Sequence, residues 1–250
     1  MYTAFAMVYD RLMCDVDYDA WAAYYAQLLK RAGVSGGGVC ECACGTGELT
    51  VRLQRLGYRM TGVDLSSDML SLAVQKARRL GLDIPFAQQD MRALRLHRRQ
   101  EAVLCTCDGV NYLKNMVQLR RFLQAAYAVL KPGGTLIFDL STPDKLQNTL
   151  GSHTLGCQDE DVSYVWQNAY HPRTRTVDMR LSIFVRGEDG RYTRLEEVQT
   201  QRAYTQDELR CALISAGFVE VRFYGDRTFR APGKNAARWH VVAKRSKEKK

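Results

Sequence analysis

A glycine turn between a mostly apolar run and a helix-period segment constrains this chain more than any other feature. The run at 39–44 ends in Gly45-Thr46-Gly47, and a segment with helical spacing begins at Glu48. Glycines at such a turn let the backbone approach a ligand, and the following helix N-terminus offers free N–H donors. A second run, 59–63, ends in Asp64, an acid suited to accept hydrogen bonds from ribose hydroxyls. Together they predict a nucleoside-binding βαβ unit, with a merely structural tight turn as the alternative.

Composition is typical of one globular domain that carries an insertion. The chain has 250 residues, of which 46% are hydrophobic and 25% charged. No apolar stretch approaches the length of a membrane span, so no membrane partner is expected. Residues 1–10 lack the basic start of a secretory signal. We therefore expect a cytoplasmic protein.

The cysteine spacing argues against a metal site. Cys40, Cys42 and Cys44 alternate along one predicted strand, and Cys105 and Cys107 along another, with no Cys-x-x-Cys pair. We expect reduced, buried thiols and no bound metal. An alternative is that the two Cys-x-Cys strands lie side by side and can oxidise.

The net charge of +9 could come from a solvated tail or from a surface that binds nucleic acid. A solvated, basic tail at 246–250 accounts for part of it. Arginines at 92, 95, 98 and 99 cluster around a loop, but no basic motif interleaved with aromatic residues accompanies them. Nucleic-acid binding needs a basic stripe on a folded face. RNA therefore stays a second choice of partner, and the oligomeric state is open.

Strands and helices alternate through the first part of the chain. In order, the predicted elements are a helix at 17–31, a strand at 39–44, a helix from Glu48 to before Gly57, a strand at 59–63, a helix capped by Ser66 or Ser67 and ended by Gly81, strands at 84–88 and 102–106, a helix at 116–130, a turn at 131–134 and a strand at 135–140. This alternation predicts an α/β fold with a parallel sheet and helices on both faces.

The pattern becomes β-rich after residue 140. Alternating runs at 163–170, 176–186 and 192–204 predict an inserted antiparallel sheet. Thr205 and Glu208 match a capping box for a last helix, and runs at 219–224 and 238–243 should pair antiparallel. We expect one domain in five parts, namely an N-terminal helical cap at 1–35, a cofactor-binding core at 36–140, the inserted sheet or lid at 141–204, a final helix and strand pair at 205–245, and the basic tail at 246–250.

The glycine turn departs from two common nucleotide-binding patterns. Dinucleotide folds usually place a third glycine where this chain has Thr50, so a dinucleotide oxidoreductase is only a remote alternative. No Gly-Lys-Ser/Thr follows the turn, which excludes a P-loop.

At this point the chain resembles the class I S-adenosylmethionine-dependent methyltransferases. The resemblance covers about 39–140 and the terminal strands, and it rests on Glu41–Gly47, Gly62–Ser66, Gln89–Met91, the segment around Asp108, and Leu130–Phe138. Segments 8–13 and 201–205 look like an uncharacterised bacterial branch similar to small-molecule methyltransferases. The resemblance implies a Rossmann-like seven-stranded sheet with an antiparallel sheet inserted over the active site. It also implies S-adenosylmethionine as the cofactor, with S-adenosylhomocysteine as its product.

The resemblance also implies roles for particular residues at the methionine end and the ribose. The turn formed by Ala43, Cys44, Gly45, Thr46 and Gly47 would wrap the methionine part of the cofactor. Glu41 would orient that turn or bind the amino group, or alternatively only cap the next turn. Asp64 would accept from the ribose hydroxyls, and Cys107 and Asp108 would line the methionine end.

At the adenine end, each contact that the resemblance implies has a purely structural alternative. Leu65 and Met69 would pack near the base, although both also suit an ordinary core. Asp90 would accept from the adenine amino group with the Met91 backbone beside it, or could simply be an Asx-turn residue.

Most candidates for acceptor contact lie outside the cofactor motifs. They are Tyr9, Asp108, Asn111, Tyr112, Tyr170, His171, Arg202 and Tyr204. His171 could instead be a turn residue before Pro172, and the tyrosines could be amphipathic packing residues. The N-terminal segment with Tyr2, Phe5 and Tyr9 should pack with the inserted sheet at 162–204 as a lid, because ligands of open α/β sheets lie outside the carboxyl ends of the strands.

The absence of two sequence motifs limits the classes of methyl acceptor. After Cys107 the chain reads Asp-Gly-Val-Asn-Tyr, without the Asn/Asp-Pro-Pro-Tyr of amino-methylating enzymes of adenine or glutamine, and no Pro-Cys nucleophile is present. Methyl transfer from a sulfonium needs alignment more than a strong base. We expect in-line transfer to a nitrogen or oxygen of a small molecule. The alternatives are a ribosomal or transfer RNA acceptor, or a cofactor-binding protein without catalysis.

Overall fold

The structure is a computed structural model that describes residues 3–247. Tyr2 of the predicted N-terminal aromatic segment and residues 248–250 of the predicted tail lie outside the described residues. The helices are α1 (Thr3–Leu12), α2 (Tyr18–Arg31), α3 (Glu48–Arg55), α4 (Ser67–Arg79), α5 (Met116–Val129) and α6 (Gln206–Ser215). The strands are β1 (Gly38–Cys42), β2 (Arg59–Asp64), β3 (Phe86–Gln88), β4 (Gln100–Cys105), β5 (Leu130–Ser141), β6 (Thr154–Cys157), β7 (Val162–His171), β8 (Thr176–Arg186), β9 (Tyr192–Arg202), β10 (Phe218–Tyr224) and β11 (Arg238–Arg245).

The central sheet has seven strands in the order β10-β11-β5-β4-β1-β2-β3. Strands β1 to β5 run parallel, and β11 lies antiparallel between β5 and β10. The predicted seven-stranded α/β sheet and its antiparallel final strand pair are confirmed. Because the first five strands are parallel, the loops after β1, β2, β3 and β4 meet at one edge of the sheet.

Both faces of the sheet are covered by helices. In β4, Val103 and Cys105 pack with residues of α5 and α6, such as Phe122. The alternate residues Ala102 and Leu104 pack with α2 and α3 on the other face. This period of two places the chain's apolar strands in two core layers, as a doubly covered sheet requires.

The inserted strands form a separate sheet in the order β6-β7-β8-β9, with antiparallel pairing throughout. Helix α1 packs on it through Phe5, Ala6 and Val8, which share an apolar cluster with Val162 and Ile183. The predicted inserted antiparallel sheet is thereby confirmed. Strand β6 was not predicted, because its four residues are all exposed and show no alternation.

Several boundaries differ from the sequence predictions. Residues 131–134, predicted as a turn, belong to β5, and the β4 pairing shifts between Gln100↔Leu130 and Ala102↔Thr135 to accommodate them. Helix α1 and a π-helical turn at Lys145–Leu150 were not predicted as separate elements. Local helix signals were more reliable. Ser66, rather than Ser67, caps α4, and the predicted capping box opens α6.

The cysteine-rich strands are neighbours, with Cys42 directly opposite Cys105. The cysteines are free thiols, and those of β1 and β4 are buried. Along residues 3–247, no helix combines the length and apolarity needed to cross a membrane.

Candidate functional site

A cavity of about 580 Å³ opens at the carboxyl edge of the parallel strands. Its walls come from the loops after β1 to β4, and from α1, the start of α2 and β9. The predicted cofactor residues that line it are Glu41, Ala43, Cys44, Gly45, Thr46, Asp64, Leu65, Met69, Asp90, Met91 and Cys107. Gly47 and Asp108 lie next to these residues in the chain but do not line the cavity.

The turn after β1 depends on backbone conformations that favour glycine. Gly45 and Gly47 have φ angles of 54° and 76°. A side chain at Gly47 would place its Cβ 3.0 Å from that of Ala73 in α4, whereas one at Gly45 would meet open space. Gly47 therefore permits close packing against α4, and Gly45 leaves the backbone exposed to the cavity.

Asp64 ties two of the loops together. Its carboxylate accepts from the backbone N–H of Gly45 at 2.8 Å and from that of Ser66 at 2.9 Å. Burial raises its pKa above the ordinary value, although these backbone donors oppose the shift. A carboxylate offers about four lone-pair positions, so acceptor capacity remains for ligand hydroxyls.

Glu41 is a buried acid in the wall of the cavity. Its side chain is 1% exposed and accepts from the hydroxyls of Thr50 and of Thr106, the latter at 2.6 Å. Burial raises the pKa of Glu41 to about 7, against the effect of those two donors. Thr50, which departs from the dinucleotide pattern, therefore holds this carboxylate in place.

The loop after β4 is fixed from behind by Asp139. Cys107 and Asp108 have left-handed φ angles of 53° and 65°. Their N–H groups donate to the Asp139 carboxylate at 2.8 Å and 3.1 Å. Tyr25 donates to the same carboxylate at 2.7 Å, and Arg238 bridges Asp108 and Asp139. Burial opposes ionisation of Asp108, but the Arg238 guanidinium outweighs it and lowers its pKa.

Asp90 caps the short helical turn at Met91–Ala93 and pairs with Arg92. The Arg92 Nε lies 2.9 Å and 2.8 Å from the two carboxylate oxygens. Hydrogen bonding by Arg92 lowers the pKa of Asp90 below its ordinary value. The carboxylate is thus ionised and shared, and its contact with adenine stays a prediction.

Helix α1 is attached directly to the glycine turn. Asp10 accepts from the Thr46 hydroxyl at 2.6 Å and from Lys76 Nζ at 2.9 Å. Lys76 also pairs with Glu48, the first residue of α3. This arrangement places Tyr9 in the cavity wall, where burial raises its pKa well above the ordinary value.

The predicted acceptor residues separate into two groups. Tyr9 and Tyr112 line the cavity, and the Tyr112 hydroxyl donates to Gln199 of β9 at 2.7 Å. Asn111 and Tyr204 do not line it. Asn111 is buried and donates to the backbone oxygens of Ser141 and Arg202, and Tyr204 donates to that of Leu113.

The remaining acceptor candidates also lie outside the cavity lining. His171 pairs with Asp178 at 3.0 Å, and Arg202 with Glu208 at 3.1 Å. Tyr170 packs against an apolar cluster around Leu146. These side chains stabilise the inserted sheet and its junction with α6.

Sequence reasoning missed several lining residues. They are Tyr18, Glu48, Leu49, Ser66, Gln89, Arg92, Thr106, Gly109, Leu113, Lys114, Gln118, Val198, Gln199 and Thr200. Asp139 was also missed, although an acid within an apolar strand was an available signal. Tyr18 and Gln199 carry no local signal, because only packing brings α2 and β9 to the cavity.

Comparisons with known proteins agree with this geometry. The family described as "Methyltransferase domain" matches residues 39–134. A Bacillus subtilis (strain 168) protein named "Putative methyltransferase YqeM" is 36% identical over 99% of this chain and 98% of its own. A Geobacillus sp. (strain WCH70) protein, also named as a putative methyltransferase, is 36% identical over 98% of this chain and 99% of its own.

A solved structure of a methyltransferase is also similar to this chain. The S-adenosylmethionine-dependent methyltransferase from Clostridium acetobutylicum ATCC 824 superposes with a TM-score of 0.89 at 30% identity, over 98% of this chain and 99% of that one. The chain belongs to the class I S-adenosylmethionine-dependent methyltransferases. Its cofactor is S-adenosylmethionine, and the open glycine turn, the Asp64 carboxylate and the apolar Leu65, Met69 and Met91 fit such a ligand.

Proposed function

We propose that this enzyme transfers a methyl group to a nitrogen of a small-molecule acceptor bound under α1 and β9. The observation that carries the proposal is one cavity shared by the cofactor residues and the side chains Tyr9, Tyr112 and Gln199. Its volume, about 580 Å³, lies within the roughly 300–1,000 Å³ typical of small-molecule sites.

The lid, formed by α1 and β9, supports the proposal of a small-molecule acceptor. Phe5 and Tyr9 of α1 and residues 198–200 of β9 line the same cavity as Asp64 and Cys107. Tyr112 and Gln199 join the β4 loop to the inserted sheet by a hydrogen bond of 2.7 Å. Such walls exclude water and hold an acceptor in line with the methyl group.

The chemistry of the wall favours a nitrogen acceptor. A hydroxyl acceptor needs a base, whereas a neutral amine is already nucleophilic. Burial raises the pKa of Tyr9 well above its ordinary value, so this side chain stays a neutral hydroxyl that orients an acceptor. Among the relatives, proteins from Streptomyces fradiae and Halorhodospira halochloris are named as N-methyltransferases of an amino sugar nucleotide and of glycine or sarcosine.

The protein's own groups hold and align the reactants. The cofactor, when bound, supplies a methyl group on a positively charged sulfur. Asp64 binds the ribose hydroxyls, and Leu65 and Met91 pack on the base. The glycine turn, Glu41 and the Cys107 loop hold the methionine side. The Asp64 carboxylate of the wall favours a cationic ligand over a neutral one.

A binding experiment tests the cofactor half of the proposal. Calorimetry should show that Asp64→Asn weakens S-adenosylmethionine binding by roughly 1.5–3 kcal/mol, the range for hydrogen bonds to a charged group. Asp83→Asn, an exposed acid far from the cavity, is the matched control and should bind like the parent. Equal affinity of the two variants would remove Asp64 from the cofactor site.

A turnover experiment tests the acceptor half. Radiolabelled S-adenosylmethionine is incubated with a panel of amines that includes glycine, sarcosine and an amino sugar nucleotide, and in parallel with total RNA. Label in a small amine supports the proposal, and label confined to RNA contradicts it. Tight cofactor binding without label in any pool would instead indicate a non-catalytic binding protein.

A further inference from the structure

The edge of the sheet opposite the cavity carries a concentration of positive charge. We name it the basic edge, and within the described residues it consists of Arg55, Arg59, Arg78, Arg79, Arg98, Arg99, Lys131 and Lys247. These side chains are all exposed.

Topology brings the basic edge together from distant parts of the chain. Strands β2, β4 and β5 begin at this edge, and α3 and α4 end there, because each helix returns the chain to the start of the next strand. Strand β11 runs antiparallel to β5, with Lys244 opposite Thr135. Lys247 therefore reaches the same edge, where its Cγ would lie 3.5 Å from a Cβ at Gly133.

Helix termini explain only some of these cations. Arg55, Arg78 and Arg79 end α3 and α4, where positive charge interacts favourably with the helix dipole. Arg59 and Lys131 lie at the beginning of strands, where no dipole attracts them.

Few acids offset this charge. Lys131 pairs with Glu101 at 2.5 Å, and Asp83 lies in the same groove. The guanidinium groups of Arg59 and Arg98 are exposed at the groove and are available to an anionic partner.

The basic edge is also concave. A groove runs along the strand starts and is lined by Arg59, Arg98, Arg99 and Lys131, together with Gln54 and Gln100. Planar guanidinium groups suit phosphate oxygens.

We infer that the basic edge binds the phosphate backbone of a nucleic acid without reading its sequence. Asp83, Met60 and Pro85 also line the groove, and none of its described lining residues is aromatic, so it offers neither base stacking nor an aromatic membrane anchor. A backbone of phosphates can lie along a groove that cations line.

This surface is distinct from the site of methyl transfer. The sheet separates them by the length of a strand such as β1, five residues, or roughly 17 Å at 3.3–3.4 Å per residue. A nucleic acid held there would leave the cavity open to a small acceptor. The inference therefore does not depend on the proposed acceptor, and either can fail alone.

The test measures binding of a fluorescent 20-base-pair RNA duplex and a DNA duplex over a salt series. If the four groove cations engage phosphates, the slope of log affinity against log salt should be about −3 to −4. The double variant Arg59→Ser/Arg98→Ser should reduce affinity at least about tenfold at 0.1 M salt and flatten the slope by about 2. The matched control is Arg120→Ser/Arg121→Ser, which removes the same charge from exposed positions within α5.

The outcomes separate the inference from its alternatives. Cofactor binding should be unchanged in both double variants, which shows that they are folded. Absence of duplex binding at 0.05 M salt overturns the inference, and so does an equal loss in both variants. Binding to vesicles with anionic lipid, or to polyglutamate, without binding to either duplex would assign the edge to a different partner and also overturn it.

Discussion

Replacement of Glu41 by glutamine should stabilise the protein at neutral pH. The carboxylate is 1% exposed, and its neighbours Thr50 and Thr106 are hydroxyl donors that can reorient to pair with an amide. Glutamine has nearly the same shape and carries no charge, so the substitution removes the cost of burying an ionised acid.

The magnitude follows from the pKa of Glu41, which burial raises from 4.5 to about 7. Between these values the folded state binds more protons than the unfolded state, so stability falls as the pH rises. At 1.36 kcal/mol per unit, the ionised acid costs about 3 kcal/mol above pH 7. The stability that is lost by this ionisation is fully present below pH 4.5 and disappears as the pH rises through 7.

Urea unfolding of the ligand-free protein at pH 5 and pH 8 measures this effect. The stability of Glu41→Gln relative to the parent should increase by about 2–3 kcal/mol between the two pH values. Glu188→Gln, in an exposed turn, controls for the loss of one negative charge and should show no such change. The same relative stability at both pH values would refute the reasoning, because Glu41 would then ionise as it does in the unfolded chain.

Other substitutions test the lid and the network behind the site. Asp10→Asn weakens the attachment of α1 to Lys76, and because the pair is partly exposed we expect only a twofold to fivefold loss of cofactor affinity (~0.5–1 kcal/mol) with faster amide exchange in α1. Unchanged exchange would show that apolar packing alone holds the helix. Asp139→Asn removes a fully buried carboxylate from its pair with the mostly buried Arg238 and should cost about 3–5 kcal/mol of stability in urea, and a loss below about 1 kcal/mol would contradict this network. Tyr9→Phe should leave calorimetric cofactor affinity unchanged while it lowers kcat/KM for the acceptor about tenfold, and an equal fall in both would place Tyr9 against the cofactor instead.

The cofactor side of the site was accessible to sequence reasoning because its signals are local. Gly45 and Asp64 each end a predicted strand, and parallel strands end at one edge of the sheet. Their meeting follows from topology without any knowledge of packing. The structure adds that Asp64 binds the Gly45 backbone directly, at 2.8 Å.

The acceptor side was less predictable. Asn111 and Tyr112 are adjacent, yet only Tyr112 lines the cavity, because the short helical turn after Asp108 directs Asn111 into the core. Tyr18 and Gln199 reach the cavity from helices and strands far away in the chain. Whether a polar residue faces a ligand or the core depends on these packing contacts.

The sequence by itself determined the α/β class, the glycine turn with its acid, and the family, because these depend on periodicity and on motifs within a few residues. Only the tertiary structure decided which insertion residues reach the cavity, how Asp139 holds the Cys107 loop, and that many cations meet at the opposite edge. Hydrogen bonds such as that between Tyr25 and Asp139 join residues more than a hundred positions apart. Such contacts depend on strand order and helix packing, which no local pattern encodes.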